Sequence, residues 1–73
     1  MKTIKKVELR NIFEENKTYI YGEIAGLSTD SKPTTINGKL VDNGSIFIEM
    51  DTSKIYFYDL ANQTWREFTN GNS

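Results

Sequence analysis

Hydrophobic and polar positions alternate most regularly in the last third of the chain. Ile46, Ile48 and Met50 share one parity, and Phe47 and Glu49 the other. After the polar tetrad Asp51-Thr52-Ser53-Lys54, Ile55 and Phe57 alternate with Tyr56 and Tyr58, and a third run carries Trp65 after Asn62-Gln63-Thr64. A period of two in runs rich in β-branched and aromatic residues marks strands, and short polar breaks mark tight connections. The pattern predicts a three-stranded antiparallel meander with strands near 45–50, 54–59 and 64–69. Asp51 suits the first position of the turn, where its carboxylate can accept from backbone N–H groups two residues on. Trp65 and Phe68 fall on opposite strand faces, one for the core and the other for a contact surface.

The N-terminal part alternates more weakly. Val7, Leu9 and Phe13 share one face and Lys6, Glu8 and Arg10 the other, but Ile4 and Ile12 break the parity. Leu9, Ile12 and Phe13 also fit helical spacing, so a short helix competes over residues 3–13. The β-branched residues and the lack of alanine favour a strand at 3–10. After the polar break Glu14-Glu15-Asn16-Lys17, β-formers resume over 18–25, and the two segments form a hairpin. Gly22 within the second marks a bulge or a close backbone approach. Residues 26–35 form the main loop, with the single proline, Pro33, and Lys32 before it biased to extended geometry. Residues 36–42 fit either a small excursion or a short strand around Asn37-Gly38, which favours a type I′ turn; Asn43-Gly44 reads as a second such turn.

The chain thus divides as one small β domain over residues 1–73: N-terminal hairpin 1–26, loop 27–44, β-meander 45–69 and frayed tail 70–73. The fold class is all-β, a small antiparallel meander and hairpin sheet, with a barrel or sandwich completed by oligomerisation as its fuller form.

Composition explains that last expectation. At 73 residues the chain buries only about 60% of its unfolded surface, so its core is thin. Domains of this size commonly rely on disulfides, a metal or self-association. With no Cys and no His, the first two are removed and a homo-oligomer is expected. The net charge of −1 and the offset of Lys2, Lys5, Lys6 and Arg10 by Glu8, Glu14 and Glu15 leave no basic face for nucleic acid. No apolar run approaches the about 20 residues of a membrane span, and no apolar stretch follows the early lysines as in a signal peptide. The reading is therefore no nucleic acid and no membrane, and the absence of Cys fits a cytosolic or particle-bound protein. Asn16-Lys17-Thr18, Asn43-Gly44-Ser45 and Asn62-Gln63-Thr64 match the glycosylation pattern but read as turn and strand-edge residues.

Reaction chemistry is not expected. Ser45, Thr52 and Ser53 have no histidine to activate them. Glu49, Asp51 and Asp59 could hold a metal or exchange protons, yet a hairpin with acidic ends gives the same trio, and the calcium-loop spacing is missing. Catalytic, cofactor and metal sites are all read as none. Tyr56, Tyr58 and Trp65 are the candidate contact surface: aromatics on neighbouring strands pair across a sheet without a ligand, and Tyr and Trp are also enriched at protein interfaces.

Ser28-Thr29-Asp30-Ser31-Lys32-Pro33-Thr34, followed by Asn43-Gly44-Ser45-x-Phe47-x-Glu49-Met50-Asp51-Thr52-Ser53-Lys54-x-Tyr56-x-Tyr58-Asp59 and Trp65, resembles a pattern of short structural proteins of tailed bacteriophages, described as head-fibre-like. The hairpin also looks like one in phage fibre and collagen-like proteins. The resemblance covers about residues 27 to 68. It implies a non-enzymatic, phage-encoded protein that acts by protein–protein contact, as a head-fibre or capsid-surface accessory of the virion. Its partners would be itself and a virion protein. A host protein is the alternative partner, for an inhibitor of a host defence enzyme, and an oligomeric sponge for a signalling nucleotide is a third reading. Two departures stand out. The family carries glycine where this chain has Ser53, and residues Thr35 to Asp42 are inserted between the Lys-Pro-Thr and Asn-Gly-Ser elements.

Overall fold

The computed structural model describes the backbone of residues 2–12 and 17–68 and the side chains of 2–10 and 18–68. The side-chain faces of Ile12 and Phe13 and the frayed tail at 70–73 lie outside them. Every described element is a strand: β1 (Thr3–Ile12), β2 (Lys17–Gly26), β3 (Thr35–Ile36), β4 (Lys39–Val41), β5 (Ile46–Glu49), β6 (Lys54–Asp59) and β7 (Thr64–Glu67). The fold is all-β, and residues 3–12 are strand rather than helix. The seven strands form one curled sheet, a half-barrel.

The expected hairpin and meander are both present. β1 runs antiparallel along β2, and β5, β6 and β7 are successive antiparallel neighbours. Antiparallel pairing dominates, as expected, and two parallel pairings make the sheet as a whole mixed. With β1 along one edge of β2, the other edge takes two shorter strands in parallel. β4 lies against Tyr19 and Ile20, and β5 against Glu23 through Gly26. Alternation along a strand specifies its faces but not the direction of its neighbour, so this arrangement leaves no mark on the hydrophobic pattern. Residues 35–42, the insertion relative to the phage pattern, supply β3, its turn and β4, so the 27–44 segment is only partly loop.

The turns follow from particular residues. Asn37 (φ 52°) and Gly38 (φ 78°) are both left-handed, as the type I′ turn joining β3 to β4 requires. At the second site only Gly44 (φ 85°) is left-handed, so Asn43-Gly44 does not form the expected type I′ turn. Ser45 N–H donates to Asp42 O at 3.3 Å, and Gly44 takes the third position, as in a type II turn. Ser53 has φ 62°, a left-handed conformation that a glycine would adopt without strain.

The Asp42–Ser45 turn separates β4 from β5. Tyr19 pairs with Leu40 while Glu23 pairs with Ile46, so the turn takes up two extra residues opposite β2. Gly22 N–H faces this interruption and donates to Ser45 Oγ at 3.1 Å, and that hydroxyl donates to Asp42 O at 2.9 Å. Ser45 is fully buried, because its hydroxyl stands in for a missing strand partner. Gly22 does mark a close approach: a Cβ there would lie 2.9 Å from Ile36 Cδ1. The bulge falls on β1 instead. Ile4 pairs with Ile24 and Lys6 with Glu23, leaving Lys5 as the extra residue. That one residue moves Ile4 onto the face of Val7 and Leu9 and removes its parity conflict.

The core is on the inner face. Ile20, Ile24, Ile36, Val41, Phe47 and Tyr58 are buried together, with Tyr56, Leu60 and Trp65 packed against them.

Candidate contact surface

Strand register brings the three predicted contact residues together. Tyr58 pairs with Trp65, and Tyr56 lies two residues away on the same face of β6. That face is the inner one. Tyr58 is only 3% exposed, and Tyr56 and Trp65 are half-buried. The Trp65 ring lies 5.0 Å from Tyr58 and 6.0 Å from Phe47, and its indole N–H donates to Pro33 O at 2.9 Å. Burial pushes the Tyr58 phenol pKa up, with a smaller contribution from Asp59. These residues form the core and its rim, the cross-strand structural alternative to a contact surface. Of the opposed pair, Trp65 takes the core side and Phe68 the exposed side.

Residues 27–34 form a strap over this end of the inner face. Leu27 N–H donates to Asp30 Oδ2 at 2.8 Å, and Ser28 donates to Asp51 from N–H at 2.9 Å and from Oγ at 2.6 Å. Lys2 Nζ donates to Ser31 O at 2.8 Å, and Val41 N–H to Thr34 O at 3.0 Å. Lys32 reaches inward. Its ammonium is 2.6 Å from Glu49 Oε2, 4.3 Å from the Tyr56 ring centre and 4.8 Å from that of Phe47. An ammonium over aromatic faces is attracted by the ring quadrupoles, and here the buried carboxylate adds a charge-assisted bond. In sequence Lys32 showed only as a residue before proline; its distance from Glu49 along the chain hid the pairing.

The predicted carboxylate trio is divided among three separate arrangements. Glu49 accepts from Lys32 and, at 2.6 Å, from Thr52 Oγ1, and in that order these hold its pKa below the ordinary value. Asp51 bonds across to Ser28, which lowers its pKa most, and the backbone N–H groups of Asp51 and Thr52 in its own turn add to this; Ser53 N–H, two residues on, goes to Glu49 O instead. Asp59 accepts from Asn62 Nδ2 at 2.9 Å and Arg66 Nε at 2.7 Å, which bring its pKa down to about 2. Among the described residues no group of three or more acidic side chains is placed to hold a metal ion.

The surface that is open lies on the other side of the meander. Register pairs Ile46 with Phe57 and Ile48 with Ile55, on the face opposite Phe47 and Tyr56. Phe57 and Phe68 meet edge to face at 5.6 Å, and Phe68 N–H donates to Ile55 O at 2.7 Å, extending the ladder past β7. Met50 (57% exposed), Ile55, Phe57 and Phe68 (58%) are exposed, and Ile46 and Ile48 half-exposed. Sequence parity groups Ile46 with Ile48 and Met50, and Ile55 with Phe57, but neither joins these sets nor tells which face is outward. The more aliphatic face is the outer one because the strap and the Trp65 indole close the other.

Among the described residues no helix is long and apolar enough to cross a membrane. In comparison with known proteins, no family model matches the chain, and no curated protein or solved structure is significantly similar to it.

Proposed function

We propose that this chain is a non-enzymatic, phage-encoded contact protein, a virion accessory of the head-fibre or capsid-surface kind, and that it docks on a virion protein through the outer face of the meander. The observation that carries the reading is the contiguous apolar surface of Ile46, Ile48, Met50, Ile55, Phe57 and Phe68. Large apolar patches on a soluble protein mark interaction sites, and interface centres are rich in aromatic residues and Met and poor in charge. A virion protein as the occupant is supported by the position of the patch: β5 to β7 build it, and they fall within the residues that resemble phage structural proteins.

The test is mass spectrometry of purified particles of the phage that encodes the chain, for the wild type and for Phe57→Asp. Phe57 is at the surface, so the substitution leaves the core intact. The wild type is expected in the particles, and Phe57→Asp, still folded by circular dichroism, is expected to be depleted. Absence of the wild type from particles, with the chain retained in infected cells, would overturn the virion reading in favour of a host protein as partner.

A further inference from the structure

β1 carries a second apolar row, and it is on the inner face. Ile4, Val7 and Leu9 sit opposite Ile24, Gly22 and Ile20 of β2. Cross-strand partners share a face, so these three extend the core surface. Among the described residues no layer covers them: Ile4 is 48% exposed, Val7 45% and Leu9 59%. Among the described residues β1 also has a ladder along one edge only.

The backbone of that free edge can be read from β2. Ile20 O accepts from Asp42 N–H, Gly22 N–H donates to Ser45 Oγ, and Gly26 O accepts from Met50 N–H. Even-numbered residues of β2 therefore turn their backbone groups toward β4 and β5. The odd-numbered ones bond β1, through Thr3, Lys6, Glu8 and Arg10. In an antiparallel ladder these roles alternate, so Ile4, Val7 and Leu9 direct their N–H and C=O groups away from β2, out of the sheet. The residues with the open apolar side chains are those with the open backbone groups.

We infer that this edge pairs with β1 of a second copy, antiparallel, about a two-fold axis at Val7. In that register Val7 exchanges both backbone bonds with Val7 of the other copy. Lys6 then faces Glu8, and Glu8 faces Lys6. With Lys5 skipped by the bulge, Ile4 faces Leu9. The inner face gains apolar pairs and the outer face gains two opposite-charge pairs, which is the self-complementarity a two-fold interface requires. An axis one residue along, at Glu8, sets Glu8 against itself and is disfavoured. The pairing continues the half-barrel into a larger curled sheet, removes a ten-residue open edge and lets the apolar rows of the two copies meet. It concerns a different strand and face from the proposed virion contact and goes beyond it.

The chain has no cysteine, so single-cysteine variants report proximity cleanly. A hydrogen-bonded antiparallel pair has Cα atoms about 5.5 Å apart, within disulfide reach. Val7→Cys is expected to oxidise to a covalent dimer roughly tenfold or more faster than the exposed control Thr35→Cys, because a held pair reacts at a raised effective concentration. In sedimentation of the cysteine-free chain, Lys6→Glu is expected to weaken the dimer by about tenfold, and Lys6→Glu/Glu8→Lys to restore it. These are exposed positions whose exchange leaves the fold intact. Equal oxidation of Val7→Cys and Thr35→Cys, or no recovery in the charge exchange, would overturn the inference. Faster cross-linking through Phe68→Cys than through Val7→Cys would also overturn it and move self-association to the outer face. The virion contact is read separately in particles, so either conclusion can fail alone.

Discussion

The two ends of the inner sheet face are finished in opposite ways. Over β5 to β7, Phe47, Tyr58 and Trp65 are closed in by the strap 27–34, which is tied down by Lys32 on Glu49, Ser28 on Asp51 and Pro33 on Trp65. Over β1, Ile4, Val7 and Leu9 continue the same face and stay exposed, with nothing above them among the described residues. The side chains do not explain the contrast, since Leu9 is as apolar as Ile20. What differs is whether a second layer exists. A strand face becomes core only when something packs on it, and here that layer is a loop held by polar contacts rather than another sheet.

Truncation should expose the contrast most sharply. Phe47→Ala is expected to cost about 3–5 kcal/mol, the range for a fully buried aromatic, since Phe47 touches Trp65 and the Lys32 ammonium. Leu9→Ala, on the same face at the open end, is expected to change monomer stability by no more than about 0.5 kcal/mol. Chemical denaturation of both variants at low concentration checks the pair. Comparable losses would mean that β1 is covered within one chain.

Ser45→Ala tests the joint between the two ends. It removes the hydroxyl that receives Gly22 N–H and leaves that buried donor unpaired, at a cost of about 1–3 kcal/mol. The loss should appear in denaturant midpoints with little change in slope.

Acid should act on the covered end. Glu49, Asp51 and Asp59 all have lowered pKa values in the folded state. On acidification the unfolded chain binds protons first. The stability these groups contribute is therefore complete above the ordinary carboxylate range, near pH 4, and is lost as pH falls, toward about 2 for Asp59. Lys32→Met removes the first cause of the Glu49 shift and should lower stability at neutral pH and flatten this acid limb. At the alkaline end the raised Tyr58 pKa has the opposite sign, and its contribution is lost as pH rises above about 10. Thermal unfolding across pH measures both limbs.

The smallest effect is at Ser53. Ser53→Gly relieves the left-handed strain, offset partly by greater freedom in the unfolded chain, and is expected to stabilise by about 0.5 kcal/mol. A drop in melting temperature would contradict the turn geometry.

How much of this was legible in the chain differs between particular residues. Parity separates Phe47 from Ile46 and Tyr58 from Phe57 within their own strands, and Asn37-Gly38 announces its turn. Parity could not say which face was inward, because that depends on Lys32 and Pro33, both remote in sequence from Glu49 and Trp65. It likewise could not show that β5 runs parallel to β2, since direction leaves no trace in a period of two. The awkward Ile4 was a signal that was visible but not interpretable: a parity break in a strand is what a bulge produces, and Lys5 is that bulge. For Tyr56, Tyr58 and Trp65 the sequence offers both a cross-strand core and a contact surface, because aromatic content alone does not separate the two.

The central claim is that the covered end is complete in one chain and the β1 end is completed by another. Amide hydrogen exchange at low and high protein concentration tests it most directly. The account predicts that Lys6 and Glu8, bonded to β2, are protected at both concentrations, whereas Ile4, Val7 and Leu9 gain protection only as concentration rises. An exchange pattern along β1 that does not change with concentration, or protection gained at Ile55 and Phe57 instead, would contradict it.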